Sequence, residues 1–344
     1  MPYLNANEYY YRKVTSAIGI TLLVFLLLIN VSGLALLGVE LLLLYMPVSE
    51  VAAEVAYQLI YAASYLLSFM LPVLVLRSLI RQHGFCYYPM KTELHVTPLL
   101  FPIVLGGIVL IWAQSYLNAA LVSIFNYSQF SAEVIWQSTG SAQPEGYQIV
   151  LEFIVMCLVP AICEEFLFRG AILTNCLPFG RANAILISAL LFSMMHQNAE
   201  QILYAFAAGI FLGIVYERTG SIWACFFLHL MNNFASTFQS VLAGAIGGSR
   251  PDVAYMAVEA ALCVIGVICI VVLVLRMAPV KRDFREGVFG RSVPASDAYA
   301  DCPVPAGRAF RLFLSFPMAL FLAICALQIV ALLGSSLLYG LRAG

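Results

Sequence analysis

Glu164 and Glu165 stand side by side in an otherwise apolar stretch, Cys163-Glu164-Glu165-Phe166-Leu167-Phe168-Arg169. Ionisable side chains inside a membrane span are costly, by at least about 2.5–3.5 kcal/mol each at its centre. On a helix Glu165 and Arg169 are four residues apart and share a face, so they can neutralise one another. Glu164 points about 100° away from Glu165. One carboxylate is then tied up in an ion pair while the other remains for chemistry, and a carboxylate in a dry site suits a general base working near neutral pH. The competing reading places all three residues at a helix end that meets water.

Two further clusters follow. Phe192-Ser193-Met194-Met195-His196 ends a short apolar run; taken alone, a histidine on an apolar helix is more often a packed, hydrogen-bonded residue than a catalyst. In His229-Leu230-Met231-Asn232-Asn233 the first and last residues are four apart and project from one face. Two such donors side by side could hold an oxyanion, or simply join helices. The combination says more than its parts. Of the four histidines, His83 and His95 fall in one loop, and the other two follow the glutamate pair in apolar segments. A carboxylate, two imidazoles and an amide on three helices make a hydrolytic constellation. Glu164 with His196 would polarise a water, and His229 with Asn233 would stabilise a tetrahedral intermediate. Intramembrane Glu and His also serve proton relays, but the sequence has neither the repeated halves nor the matched broken helices that many transporters show.

The elements that must position these residues are set by composition. Hydrophobic residues make up 62% of the 344 and charged residues 10%, against about 25% charged in soluble domains. The expected fold is all-α, a polytopic transmembrane bundle of eight to nine spans in one membrane domain, 1–344. Candidate spans lie at roughly 14–46, 55–80, 97–125, 147–168, 182–197, 201–216, 220–243, 254–277 and 311–341, in lipid necessarily helical. The fifth and sixth are shorter than the roughly 20 residues of a full crossing. Gly209 and Gly213 form a GxxxG that permits close helix packing.

Basic residues fall on alternate loops: Arg12 and Lys13; Arg77, Arg81 and Lys91; Arg169 and Arg181; Arg276, Lys281, Arg282 and Arg285. This pattern puts the N-terminus in the cytoplasm. The stretch 278–310 mixes both charges with Pro and Gly and reads as a cytoplasmic loop. A net charge of −1 suggests no nucleic-acid partner. The nine cysteines include no CxxC, and those in apolar runs read as small buried hydrophobes. No transit signature is evident, so a bacterial plasma membrane is the expected location.

Read in order, the clusters are Glu164-Glu165-xxx-Arg169, Phe192-xxx-His196 and His229-xxx-Asn233. This ordered triple resembles the CAAX-protease and bacteriocin-processing family, also called the ABI family, recognised by EExxxR, FxxxH and HxxxN. The link Glu217-Arg218-Thr219-Gly220-Ser221-Ile222-Trp223 is similar too. The resemblance covers roughly 147–243, the expected catalytic core, and each motif alone is weak while the ordered set on apolar helices is strong. It implies a membrane-embedded endopeptidase acting on a membrane-associated peptide or protein, by CAAX-type or bacteriocin-type processing. It further implies that Glu164 activates water with help from His196, that His229 and Asn233 form the oxyanion hole, and that Glu165 and Arg169 give structural support. The alternative within the family is a non-catalytic scaffold or bacteriocin-immunity protein.

The family is described both as metalloprotease and as glutamate protease. If metal-dependent, the ligands of a Zn²⁺ would be Glu164, His196 and His229. The zinc-protease pattern HExxH is absent, since Gln197-Asn198-Ala199-Glu200 follows His196, and Asn233 suits an oxyanion donor better than a zinc ligand. The favoured expectation is a metal-free glutamate mechanism with no cofactor.

Overall fold

The computed structural model describes residues 4–92, 102–103, 105–109, 146–238, 257, 260–261, 263–269, 271–272, 304 and 306–343. Among them the regular structure is helical, with no strand. The chain divides into two compact units, one formed by Met1–Met90, Pro144–Ala184 and Asp301–Phe321, the other by Lys91–Gln143, Ile185–Ala300 and Leu322–Gly344.

In the first unit, α1 (Ala6–Tyr45) opens on a reciprocal cap. Glu8 N donates to Asn5 Oδ1 at 2.8 Å and Asn5 N donates to Glu8 Oε2 at 3.2 Å, satisfying two backbone donors that the helix itself cannot. α2 (Glu50–Gln82) starts at Ser49, whose Oγ accepts from Ala52 N. The two helices pack together through Phe25 on Phe69, with centroids 4.8 Å apart, and through Ser32 and Ser68, 3.2 Å apart. At 40 and 33 residues both exceed the roughly 20 needed to cross a bilayer. Leu27, Leu34, Leu44, Leu67 and Leu74 are exposed on them, an outward apolar surface that suits lipid.

A helical run over 146–176 packs on α2 and alternates hydrogen-bonding pattern along its length. It comprises α3 (Gly146–Glu152), a π-helical stretch Phe153–Leu158, α4 (Val159–Glu165), a second π stretch Phe166–Leu173, and α5 (Thr174–Cys176). Pro160, lacking an N–H, stands where the first π stretch gives way to α4. Both ends of the run are pinned by side chains. Tyr147 Oη and Gln148 Nε2 donate to Glu54 at 2.9 and 3.1 Å. Asn175 accepts from Tyr88 N at 2.9 Å and donates to Tyr88 O at 3.2 Å.

The same unit holds α9 (Ala306–Phe313) and the start of α10 (Phe316–Ala343). α9 begins inside the stretch expected as a loop. Its amphipathic sequence buries Ala309 and Phe313, and Arg308 lies 2.6 Å from the buried Glu8. The first turn of α10 presses on α1: a Cβ on Gly19 would lie 2.5 Å from the backbone N of Met318.

In the second unit, α6 (Arg181–Met195, whose first residues belong to the first unit), α7 (Ala199–Thr219) and α8 (Ile222–Thr237) follow in sequence. The GxxxG of α7 faces α6: a Cβ on Gly209 would meet Ala189 Cα at 2.9 Å, and one on Gly213 would meet Ile185 Cγ2 at 3.1 Å. The α7–α8 turn is built on Gly220, whose φ of 62° favours glycine. The distant Lys91–Thr92 segment is stitched to this turn, since Ile222 N donates to Lys91 O at 3.0 Å, Lys91 N to Tyr216 Oη at 3.1 Å, and Trp223 Nε1 to Thr92 O at 3.0 Å.

One expectation is revised. The sixth span was expected to be short, yet α7 has 21 residues and is long and apolar enough to cross a membrane. Among the described residues three helices meet that standard, Ala6–Tyr45, Glu50–Gln82 and Gln201–Thr219, with Arg181–Met195 apolar but shorter. Most of the expected spans 97–125 and 254–277 and of the loop 278–310 lies outside the described residues.

Candidate active site

Glu164 and Glu165 occupy the last turn of α4, between the two π stretches. Both are buried, and so is Arg169; the reading of a wet helix end therefore fails. Arg169 Nη1 donates to Glu165 Oε1 at 2.9 Å, with both side chains fully buried. Thr174 Oγ1 caps the Arg169 carbonyl at 2.9 Å. Glu164 faces α2 instead, where Tyr65 Oη donates to its Oε1 at 2.6 Å. Tyr65 is held in turn by stacking on Phe69, with centroids 4.7 Å apart. The adjacent carboxylates thus take different partners, one a guanidinium and the other a phenol.

His196 follows the end of α6. Its Nδ1 lies 2.8 Å from the Phe192 carbonyl. A carbonyl oxygen only accepts, so in the neutral ring Nδ1 carries the proton and Nε2 holds the lone pair. The helix stops here because Gln197 turns left-handed, at φ 52°, while its N–H donates to Met194 O at 3.2 Å. Asn198 O then accepts from Gln201 N and Ile202 N, both at 3.1 Å, and α7 begins.

His229 sits in α8 and is buried. The Phe192 ring meets both imidazoles edge-on, at 4.9 Å from His196 and 5.9 Å from His229. Phe192 therefore contributes twice, its carbonyl fixing the His196 proton and its ring spacing the two histidines. Phe192, His196, Tyr204, His229, Asn232 and Asn233 line a cavity of about 50 Å³, room for a few waters. Tyr204 Oη donates to Asn232 Oδ1 at 2.6 Å, and Asn232 Nδ2 donates to Asn233 Oδ1 at 3.3 Å.

The structure brings His196, His229 and Asn233 to one cavity in the second unit, and Glu164, Glu165 and Arg169 to one buried cluster in the first. Sequence reasoning missed three polar partners, Tyr65, Tyr204 and Asn232. Tyr65 had a signal: Tyr57, Tyr61 and Tyr65 recur every four residues in an apolar helix, a polar-tipped stripe on one face. Asn232 was in view but fell between the positions that the His229–Asn233 spacing selects.

Residues 146–235 match the family model of Type II CAAX prenyl endopeptidases, Rce1-like. The family resemblance carried by the three motifs is thereby shown for this segment. The Rce1-like segment starts at α3 and ends inside α8, so it includes every candidate catalytic residue. No curated protein and no solved structure gives a significant match. As for a metal, no group of three or more His, Cys, Asp or Glu side chains among the described residues is arranged to hold one. The cavity of the Rce1-like segment pairs its two imidazoles with two amides and a phenol, a set richer in hydrogen-bond donors than in zinc ligands.

Proposed function

We propose that this chain is an intramembrane endopeptidase that hydrolyses a peptide bond of a CAAX-type, membrane-associated protein without a metal. The observation that carries the reading is the Rce1-like match over the segment that bears all three motifs. It is supported by the convergence of His196, His229 and Asn233 on one water-sized cavity. In the reaction Glu164 takes a proton from water, and the resulting hydroxide adds to the scissile carbonyl carbon. His196 assists through Nε2, the nitrogen left as acceptor by the Phe192 carbonyl. His229 and the Asn233 amide donate to the oxyanion. Collapse of the tetrahedral intermediate breaks the C–N bond, and the proton held by Glu164 passes to the departing amine. The Glu165–Arg169 pair fixes the helix that presents Glu164. The setting we propose is a bacterial plasma membrane with the N-terminus in the cytoplasm, from the alternation of basic segments; Arg169 drops out of that pattern, since it is buried in its ion pair.

The test compares wild type with Glu164→Gln in the same cells, reading new peptide termini in membrane fractions. Gln keeps the size and removes the base. Termini at lipidated CAAX sites that appear only with Glu164 are the expected result. Termini on small secreted peptides would point to bacteriocin-type processing instead. Identical profiles from two well-folded variants would sink the enzyme reading in favour of a scaffold or immunity protein.

A further inference from the structure

The Asn233 amide has two ends, and they do opposite things. Nδ2 donates and can stabilise an oxyanion, whereas Oδ1 accepts and would repel one. Which end faces the cavity is therefore a condition for the oxyanion role. The observed contacts supply a device that sets it. Tyr204 Oη, on α7, donates to Asn232 Oδ1 at 2.6 Å. That leaves Asn232 Nδ2 as the donor toward its neighbour, and it lies 3.3 Å from Asn233 Oδ1. With Oδ1 engaged, Asn233 has its Nδ2 left to give. All three residues border the cavity that His196 and His229 share. Donation thus runs one way, from phenol to amide to amide, and neighbouring bonds in such a chain reinforce each other away from water.

We infer that Tyr204 and Asn232 are positioning residues that set the polarity of the Asn233 amide, turning its donor end to the reacting carbonyl. The inference rests on the oxyanion role proposed for Asn233. It differs from a helix-joining role for Asn232, which would depend on its capacity to bond and not on the direction of the bond.

Direction can be tested with a substitution of nearly equal size, set against a truncation. In Asn232→Asp the ionised carboxylate accepts from Tyr204 but has no N–H. Asn233 then turns its Nδ2 toward the carboxylate and its Oδ1 toward the cavity. Asn232→Ala removes both bonds and leaves the amide to turn either way. Full-length protein in liposomes is assayed with an internally quenched farnesylated CAAX peptide, from about pH 5 to 9, with thermal unfolding as a folding control. With ionised Asp we expect kcat to fall by about 100-fold or more, the order of losing one oxyanion donor. Asn232→Ala should lose about 10-fold and Tyr204→Phe less, with KM changed little in each. Acidification should raise the ratio of Asp to Ala rates, because a protonated carboxyl donates again. His196, His229 and Tyr204 are the titratable groups bordering this cavity and are present in both variants, so the ratio isolates what the added carboxylate changes.

A flat ratio across the pH range, or an Asp variant no worse than Ala throughout, would overturn the relay. If that happens while wild type cleaves and Glu164→Gln does not, the protease reading stands and the relay alone falls. A wild type that leaves the peptide intact would overturn both.

Discussion

Tyr65 donates its hydroxyl hydrogen to Glu164 Oε1 across 2.6 Å, from the middle of α2 to the last turn of α4. The bond joins a residue outside the Rce1-like segment to a glutamate inside it. It orients a carboxylate whose neighbour, Glu165, is already committed to Arg169. Removing the hydroxyl with Tyr65→Phe should lower kcat by about 10-fold with KM little changed, from a bond to a charged group worth about 1.5 kcal/mol. Steady-state cleavage of the farnesylated peptide reads the split; an unchanged kcat would leave Tyr65 as packing only.

The Glu165–Arg169 pair should behave as a buried ion pair does. Glu165→Leu removes the carboxylate that pairs with the buried Arg169 guanidinium and should cost about 3–5 kcal/mol. The double variant Glu165→Leu/Arg169→Met should be more stable than either single one, because the charges leave together. Thermal and denaturant unfolding in detergent give the comparison. Additive losses in the double variant would mean that the two side chains do not depend on one another.

Much of this was legible in the sequence, for a physical reason. Charged residues in apolar helices are too costly to be incidental, so Glu164, Glu165, Arg169, His196 and His229 stood out without a structure. Helical spacing alone paired Glu165 with Arg169 and aligned His229 with Asn233. What stayed hidden depends on contacts between helices far apart in sequence. Tyr65 lies 99 positions from Glu164, and no local pattern could join them. The π stretches around α4 were equally invisible, since a switch from i→i+4 to i→i+5 bonding leaves little trace in composition beyond Pro160. The longer α7 was missed because Glu217 and Arg218 near its end read as the start of a loop.

Gly209 offers a test of how closely α6 and α7 must approach. A Cβ there would meet the Ala189 backbone at 2.9 Å, so Gly209→Ala forces the helices apart. The expected cost is about 1–3 kcal/mol, the usual penalty for overpacking. Because α6 leads to His196 and α7 carries Tyr204, kcat should fall beyond what the lost folded fraction explains. Gly33, with nothing within 4 Å of its added Cβ, is the control: Gly33→Ala should be neutral or slightly stabilising.

Removal of metal should have no effect. Under the metal-free mechanism proposed above, EDTA or phenanthroline leaves the cleavage rate unchanged at any incubation time. Inhibition by both chelators, reversed by added Zn²⁺, would replace that mechanism with a zinc-dependent one.

The proton on His196 is assigned by a main-chain oxygen, that of Phe192. Every amino acid brings the same oxygen, so the instruction is written in a part of the polymer that the genetic code does not vary. Replacing Phe192 by Leu strips away the ring between the imidazoles yet leaves the acceptor where it was. Drift at this position can therefore loosen the spacing of the two histidines while their proton inventory stays intact. Erasing that inventory takes a change that unwinds the chain between 192 and 196. The two properties of the site are inherited separately, one through side chains and the other through the persistence of a helix end.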